Sequence, residues 1–391
     1  MVNPLLTLTP DEEHNFTIAE NNQKGLGYVA YDPEIEIVRP TAFHSSFPVF
    51  ISEFIIKRNI SKEGYVAFIY AITLILFAFS VRGFYRLSNS FLNDEKMGFL
   101  STVTYCFYPS ILHFIGSLLF YENIVVSLIV IVMYRLHCSL KTGITLSHFI
   151  TIPASICISC LLRPQTILVF LFIFIAYLLL KKNARSYSLF FVTTIITFLA
   201  NVPGLVKNKK MFGEYVLSTQ SGYELLQGHN PFAKGSWIGR WQYPESELYW
   251  YARKEIKNIK ELNELEESKA RMQLAVKWIK ENPGKELLLT GRKLAIYFTP
   301  SNLRILKGSE LINPINLLTH LFFIAGIMLV VVKRNFSRET LFYVMPVIAS
   351  ITLSILFFVG YRWRYYAEPF MIIFAWKFVT DNRKKLRLKN S

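Results

Sequence analysis

Nine apolar runs separated by short polar and basic stretches constrain this chain more than any other feature of its sequence. A helix needs about 20 mostly apolar residues to cross a bilayer, and most of the runs approach that length. The shortest run lengthens if its helix starts near Tyr121. The pattern predicts an all-α polytopic membrane protein with about nine transmembrane helices. The runs cover residues 65–81, 98–120, 124–134, 146–162, 166–180, 187–202, 315–332, 341–358 and 366–379.

Composition separates this chain from ordinary soluble proteins. Hydrophobic residues make up 52% of its 391 residues and charged residues 18%, against about 25% charged in an average soluble domain. The formal net charge of +16 would suggest nucleic acid in a soluble protein. Here the basic residues cluster between apolar runs, which indicates membrane topology and no nucleic-acid partner. The four cysteines lie in or beside apolar runs and predict neither a disulfide framework nor a zinc site.

The basic clusters also orient the predicted helices. They follow alternate runs, so the positive-inside rule places all of them, and the C-terminus, on the cytoplasmic side. With nine spans, residues 1–63 then lie outside with no span ahead of them. A polar segment of that length rarely crosses a membrane unaided, so we expect either a further helix upstream or a span count that is wrong by one.

Two outer regions follow from this topology. The first part of residues 203–313 is rich in Gly and aromatic residues and predicts a loop with short strands, whereas residues 245–281 have helical periodicity that ends at "NPG". The next stretch, "KELLLTGRKLAIYF", predicts an amphipathic helix on the membrane surface. The predicted regions are an outer-face acidic loop region (1–63), transmembrane helices (64–202), an outer-face loop and helical subdomain (203–313) and C-terminal transmembrane helices with a basic cytoplasmic tail (314–391).

Three acids and one histidine are candidates for chemistry. Asp11 and Glu12 are adjacent carboxylates near a predicted membrane boundary, where they could deprotonate an acceptor or hold a divalent cation. Alternatively, they balance a helix dipole. Glu122 is the one charge between two apolar runs on the outer side, and it either has a functional role or caps the next helix at the interface. His44 lies in a loop ahead of a predicted span, which is commonly a structural position.

Three arginines contradict the positive-inside pattern. Arg163, Arg362 and Arg364 fall in short turns on the predicted outer side. Their guanidinium groups could bind phosphate through paired N–H donors, or they could reach lipid headgroups as interfacial residues. The sequence has no Walker loop, Rossmann glycine pattern, HExxH or GxSxG. An active site on the outer face would also lack cytoplasmic nucleotide substrates, so any activated group there would have to arrive on a lipid.

Several segments together resemble the GT-C superfamily of membrane glycosyltransferases, in the branch near bacterial protein O-mannosyltransferases and lipid A aminoarabinose transferases. "DEEHNFTIA" resembles that branch's D-E-x-x-Y-x-x-x-A segment, with Asn15 in place of Tyr. "RPTAFHSSFPVF" is similar to its T-A-x-x-P-P-x-Y-P stretch, with Ser45 and Ser46 in place of the paired prolines. The matching residues are Asp11, Glu12, Ala19, Thr41, Ala42 and Pro48.

The later segments of the resemblance follow in the same order along nearly the whole chain. "NVPGLVKNKKMFGEYVLSTQSGYELLQGHNPFAKGSW" looks like the family's P-W-x-x-R-N loop with its G-x-N-P continuation, although Gly204 replaces Trp and Lys207 replaces Arg. "LLRP" matches an Arg-Pro that opens a later helix, and Glu122 stands where an acid commonly follows the third helix. "RWRYYAEPF" is similar to R-Y-R-x-P-x-x-P, with Tyr366 in place of the first proline.

The resemblance implies a hexosyl- or pentosyltransferase on the outer face of a bacterial cytoplasmic membrane. It implies Asp11 as the general base, with Glu12 and Glu122 supporting it or helping to hold a divalent cation. It also implies a polyprenyl-phosphate sugar donor, inversion at the anomeric carbon, and an acceptor that is a glycan, lipid or protein. The substrate-binding candidates are His44, Arg163, Lys207, Asn208, Arg362 and Arg364.

Two other functions remain open on the sequence. A transporter or flippase for lipid-linked sugars would favour ionisable residues near the middle of its spans, whereas the charges here gather at the ends of the runs. A non-catalytic membrane assembly protein would use the same acids and arginines only as interfacial residues. A polymerase or ligase that uses lipid-linked glycans is a related enzyme class.

Overall fold

The chain is mostly helical, at 77%, with one short two-stranded sheet among the residues that the structure describes. This computed structural model describes residues 10–34, 36–116, 121–237, 244–299, 314–332 and 337–389. The elements are α1 (Pro10–Gln23), β1 (Val29–Asp32), β2 (Ile37–Pro40), α2 (Ser46–Lys57), α3 (Lys62–Leu92), α4 (Glu95–Cys106), α5 (Pro109–Gly116), α6 (Glu122–Thr142), α7 (Leu146–Leu162), α8 (Thr166–Leu180), α9 (Ala184–Phe212), α10 (Gln220–Gly228), α11 (Glu247–Glu255), α12 (Glu264–Glu281), α13 (Pro283–Phe298), α14 (Pro314–Val332), α15 (Arg338–Leu356), α16 (Tyr361–Tyr365) and α17 (Glu368–Lys389).

Four helices are long and apolar enough to cross a membrane within the described ranges: α3, α6, α9 and α15. Shorter apolar helices are α7, α8 and the Leu318–Met328 part of α14. The all-α prediction is confirmed, and the apolar helices are compatible with a membrane protein, but the count of nine spans is not confirmed. The predicted helices at 146–162 and 166–180 begin and end at the same residues as α7 and α8.

The predicted single span at 98–120 is wrong. The chain forms α4 and α5 there, with a break at Phe107 and Tyr108. Pro109 begins α5, and its ring disfavours a helical conformation in the residue before it while removing one backbone donor. The helix therefore ends before Tyr108 and restarts at the proline. Residues 117–120 of that prediction lie outside the described residues.

The chain divides into two compact units. The first comprises residues 1–68, 199–297 and 352–360, and the second comprises 69–198, 298–351 and 361–391. In the first unit, α1 packs on α2 and on the β1–β2 hairpin, whose antiparallel register pairs Val29 with Pro40. α10 packs on α12, and a core cluster of apolar side chains from α10, α11 and α12 forms there.

A helix lies where the sequence predicted a loop with short strands. α10 occupies Gln220–Gly228, and within 211–237 the only strand-like pairing among described residues is a single parallel bridge from Ser236 to Val359. The low helix propensity of the Gly-containing stretch is overridden by burial of Tyr223 and Leu226 against α12. The helical prediction for 245–281 is confirmed for 247–255 and 264–281, which form α11 and α12, whereas residues 256–263 between them are not helical. Its predicted end at "NPG" is confirmed because α12 ends at Glu281 and α13 starts at Pro283.

Two glycines of α10 allow the backbone to approach other segments closely. A Cβ at Gly222 would lie 1.8 Å from the carbonyl oxygen of Ser268, and one at Gly228 would lie 1.6 Å from that of Phe357. Real Cβ atoms do not reach such distances, so α10 packs here only because both positions lack a side chain.

We expect Gly228→Ala to destabilise the protein by about 2–3 kcal/mol, because the added methyl would overpack a contact with backbone rather than with a flexible side chain. The matched control is Gly291→Ala in α13, where a Cβ meets nothing within 4 Å. That change should be neutral or stabilise by about 0.5–1 kcal/mol, since alanine is the better helix former. Thermal unfolding of both variants in the same detergent measures the difference. Equal melting temperatures would contradict the close approach.

In the second unit, α6 is the most buried of the four candidate spans. It packs on α7 and α8, while α14 packs on α17 and α17 on α4. Apolar residues of α6 such as Val125, Ile129 and Val132 are fully buried. Because α6 is enclosed along its length, its first residue, Glu122, and its flanking turn are held at a fixed place in this unit.

Candidate functional site

The first turn of α1 carries Asp11, Glu12 and Glu13. Acids at this position balance the helix dipole, as the sequence allowed. Their environments differ, because Glu13 is exposed, Asp11 is half-buried and Glu12 is only 2% exposed. A dipole effect alone needs no burial, and a buried carboxylate is costly. The dipole therefore accounts for Glu13 but not for the burial of Glu12.

A histidine that the sequence analysis did not select follows on the same helix. His14 lies one turn after Asp11, and its ring makes an edge-on contact with His44, with 5.3 Å between the ring centroids. Burial lowers the pKa of His14 below its ordinary value, against the opposing effects of Asp11 and Asp32. His14 is thus neutral near pH 7. The spacing of three residues from Asp11 on a predicted helix was the signal that could have identified it.

His44 is held by a hydrogen-bonded segment of the same unit. The Glu264 carboxylate accepts a 2.8 Å hydrogen bond from the Ala42 backbone N–H and a short one from the Thr219 hydroxyl. The Thr219 N–H donates in turn to the Ala42 carbonyl at 2.9 Å. Burial raises the pKa of Glu264, with these hydrogen bonds opposing the rise. The loop that carries His44 is therefore fixed on α10 and α12.

Lys207 and Asn208 lie side by side near the end of α9 but in different environments. The Lys207 ammonium lies over the ring of Tyr28 at 4.5 Å and over that of Phe50 at 6.0 Å, a cation–π arrangement. The Asn208 amide is fully buried and donates to the carbonyls of Val216 at 2.8 Å and Leu217 at 3.3 Å. Asn208 thus ties the end of α9 to the following loop, whereas Lys207 offers a cation against an aromatic pair.

In the second unit, Glu122 and Arg163 form an ion pair. Glu122 begins α6 and Arg163 follows the last residue of α7, and the two side chains meet edge to edge. Arg163 Nε lies 3.1 Å from one Glu122 oxygen and Nη2 lies 3.4 Å from the other. Both side chains are nearly buried, at 12% and 1% exposure. The carboxylate thus fixes the plane and direction of the guanidinium.

Arg364 is held in a similar way by an acid that the sequence analysis missed. Glu368 begins α17, and its Oε1 lies 3.2 Å from Arg364 Nε and accepts a 3.2 Å hydrogen bond from the Ser110 hydroxyl. Both charged side chains are 1% exposed. Their spacing of four residues was a recognisable signal for a helical ion pair.

Arg362 completes this group on the short helix α16. It is half-buried, and the Tyr366 side chain lies within electrostatic range of Glu122, Arg163 and Arg362 together. The adjacent Tyr365 hydroxyl donates to the Asn123 side chain. The second unit therefore brings together four of the nine sequence candidates, Glu122, Arg163, Arg362 and Arg364. We call these four residues and Glu368 the arginine cluster.

The remaining candidates, Asp11, Glu12, His44, Lys207 and Asn208, belong to the first unit. Of these, Asp11 and His44 share the neighbour His14. Within the described ranges no three His, Cys, Asp or Glu side chains come together as a metal-binding group. Glu12 and Glu122, the acids implied as cation ligands, lie in different units.

A buried charge network in the first unit has no counterpart in the sequence analysis. Arg39 contacts Glu267 at 2.6 Å and also pairs with Asp32, while Arg271 contacts Glu34 at 2.6 Å and Glu267 at 2.7 Å. Burial acts to raise the pKa of Glu267, but Arg271 and Arg39 outweigh it and the pKa is lowered. The network joins the β1–β2 hairpin to α12.

Comparison with protein-family models, with curated proteins and with solved structures finds no match to this chain.

Proposed function

We propose that this chain is an integral membrane glycosyltransferase of GT-C type that moves a sugar from a polyprenyl-phosphate donor to an acceptor hydroxyl. The arginine cluster is the observation that carries the proposal. Three guanidinium groups gather at one end of the helices of the second unit, two of them oriented by buried carboxylates. The motif resemblance to the superfamily is the second support.

The Arg163–Glu122 ion pair favours phosphate recognition for a geometric reason. Arg163 meets Glu122 through its Nε and Nη2 edge, so the carboxylate aims the opposite edge of the guanidinium. Two parallel N–H donors on one edge match the oxygens of a phosphate. Glu122 pairs with Arg163 and Glu368 pairs with Arg364, and Arg362 adds a third guanidinium group to the cluster. A phosphate monoester or diester is an anion that such a group can bind without a nucleotide-binding loop.

The proposed reaction is a single displacement. A carboxylate base, which the motif resemblance assigns to Asp11, takes the proton of the acceptor hydroxyl while the acceptor oxygen bonds to the anomeric carbon. The bond from that carbon to the phosphate oxygen breaks, and its electron pair leaves with the polyprenyl phosphate. Attack opposite the leaving group inverts the anomeric configuration. Arginines that contact the phosphate stabilise the negative charge that develops on the leaving oxygen.

A non-catalytic membrane assembly role is the alternative that a specific observation favours. Buried ion pairs such as Arg364–Glu368 also serve purely structural roles, where they fix helix ends without binding any ligand. Under this alternative the arginine cluster would hold α6, α16 and α17 together, and no sugar would be transferred.

The direct test is turnover by purified protein in liposomes. Labelled polyprenyl-phosphate sugars are offered as a panel with glycan, lipid and peptide acceptors, with and without Mg²⁺ or Mn²⁺, and with chelator as the control. Transfer or donor hydrolysis with one sugar would support the proposal and identify the donor. Movement of a fluorescent donor across sealed vesicles without chemical change would favour a flippase. If no donor gives either turnover or movement across the vesicle membrane, the assembly role is supported.

We expect Arg362→Gln to raise the KM for the donor about 10- to 100-fold, because each lost charge-assisted contact to phosphate is worth about 1.5–3 kcal/mol. The KM for the acceptor should stay unchanged. Arg338→Gln is the matched control, since Arg338 is an exposed arginine in the first turn of α15. Initial rates at varied donor and acceptor concentrations separate the two constants. An equal effect of both variants would remove Arg362 from the donor site.

A further inference from the structure

Helix α13 has one buried face and one strongly exposed apolar face. Leu289, Lys293 and Tyr297, four residues apart along the helix, are 5%, 0% and 0% exposed. Leu287 and Leu288 are 75% and 72% exposed, and among the large hydrophobic residues that the structure describes only Leu146 is more exposed. A helix of a soluble unit would normally turn such leucines inward.

Polar contacts fix the buried face of α13. The Lys293 ammonium donates to the carbonyls of Ile355 at 2.8 Å and Phe357 at 2.6 Å, and it lies 3.2 Å from His229 Nε2. Two turns earlier on α13, the Glu286 carboxylate lies 2.9 Å from His229 Nδ1. Rotating the helix to bury its leucines would break all of these contacts. The outward position of Leu287 and Leu288 is thus built into the first unit.

The exposed face has the composition of an interfacial helix. At 3.6 residues per turn, Leu287 and Leu288 share a stripe with Gly284 and Gly291, where a Cβ would meet nothing within 4 Å. Two exposed cations lie along one edge of that stripe, seven residues apart. They are Lys285 and Arg292. An apolar stripe with a basic edge matches the boundary between acyl chains and anionic headgroups.

We propose that α13 lies in the plane of the membrane surface, with Leu287 and Leu288 in the acyl boundary and Lys285 and Arg292 on anionic lipid headgroups. A bilayer is the partner that fits, because the described part of the same chain carries four helices long and apolar enough to cross one. A second copy of the chain fits less well. Pairing two such stripes in either direction would set the basic edges of the copies against like charges or leave them without a counter-charge. This inference is independent of sugar transfer.

Depth-dependent fluorescence quenching tests the proposal. The four native cysteines are replaced by serine or alanine, and Leu288→Cys carries an environment-sensitive NBD label in liposomes of phosphatidylcholine and phosphatidylglycerol. Lys257→Cys, at an exposed polar position after α11, is the matched control. We expect the label at 288 to be quenched several-fold more by lipid with a spin label at acyl carbon 5 than by aqueous iodide, and the label at 257 to show the reverse.

A charge-reversal variant and disulfide cross-linking distinguish the bilayer from the other possible partners of this face. Adding Lys285→Glu and Arg292→Glu should reduce lipid quenching at 288 in anionic vesicles and change it little in pure phosphatidylcholine. Iodide quenching at 288 equal to that at 257 would overturn the proposal. Copper-catalysed disulfide dimers of Leu288→Cys in liposomes would also overturn it and assign the face to a second copy of the chain.

Discussion

Asp11→Asn is expected to lower kcat for sugar transfer by about 100- to 10,000-fold, the range over which a positioned general base contributes. The amide keeps the size of the carboxylate but cannot take the acceptor's proton. The matched control is Glu13→Gln, which removes an exposed acid from the same first turn of α1. Because both changes weaken the interaction with the helix dipole to a similar degree, the control isolates proton transfer from helix stability.

Single-turnover rates at saturating donor measure this prediction, with thermal unfolding recorded on the same samples. The free energies of unfolding of the two variants should agree within the few tenths of a kcal/mol expected for a dipole contact, so their melting temperatures should be nearly equal. Equal small losses of rate in both variants would show that the acids of the first turn act only on the helix. A large loss in Asp11→Asn alone, with the melting temperature unchanged, would place the base on α1.

How well the sequence predicts each element depends on whether that element is set by neighbouring residues or by packing on segments distant in the chain. α7 and α8 were predicted to the residue because polar turns bound two continuous apolar runs. α10 was missed because its glycines lower helix propensity, and only packing on α12 restores the helix. The break at Pro109 was recognisable locally but was outweighed by the apolar run on either side of it.

The same distinction applies to the candidate site. His14 and Glu368 stand three and four residues from Asp11 and Arg364, so helical spacing alone could have selected them. The pairing of Glu122 with Arg163 joins residues 41 apart, and that of Arg39 with Glu267 joins residues 228 apart. The periodicity of residues in a single sequence does not reveal pairs that lie so far apart along the chain. They arise from packing that brings distant helix ends and hairpins together, and they needed the structure.

Arg271→Met is expected to cost about 3–5 kcal/mol of folding free energy, the largest stability effect we predict. Arg271 is fully buried between the carboxylates of Glu34 and Glu267, and its guanidinium lies 4.7 Å from the ring centroid of Tyr223. Removing the cation leaves buried negative charge without compensation, which is the costly way to break a buried pair. Met fills most of the vacated volume, so little of the loss comes from a cavity.

The control for this variant lies two residues earlier on the same helix. Lys269 pairs with Glu214 at 2.5 Å, but their side chains are 48% and 56% exposed, so Lys269→Met should change stability by only about 0–1 kcal/mol. Chemical unfolding of both variants against wild type in the same detergent measures the contrast. Similar losses would mean that burial does not set the cost of these pairs.

The dependence on pH distinguishes charge from packing in the Arg271→Met result. Burial already raises the pKa of Glu34 above its ordinary value, against the opposing effect of Arg271, so losing that arginine raises it further. A folded-state pKa above the unfolded value means that the folded protein binds more protons, so stability rises as pH falls. The defect of Arg271→Met should therefore shrink from pH 8 to pH 5 as the Glu34 carboxylate becomes neutral. A defect that stays constant over that range would assign the loss to packing, and the network would then hold the hairpin to α12 by shape rather than by charge.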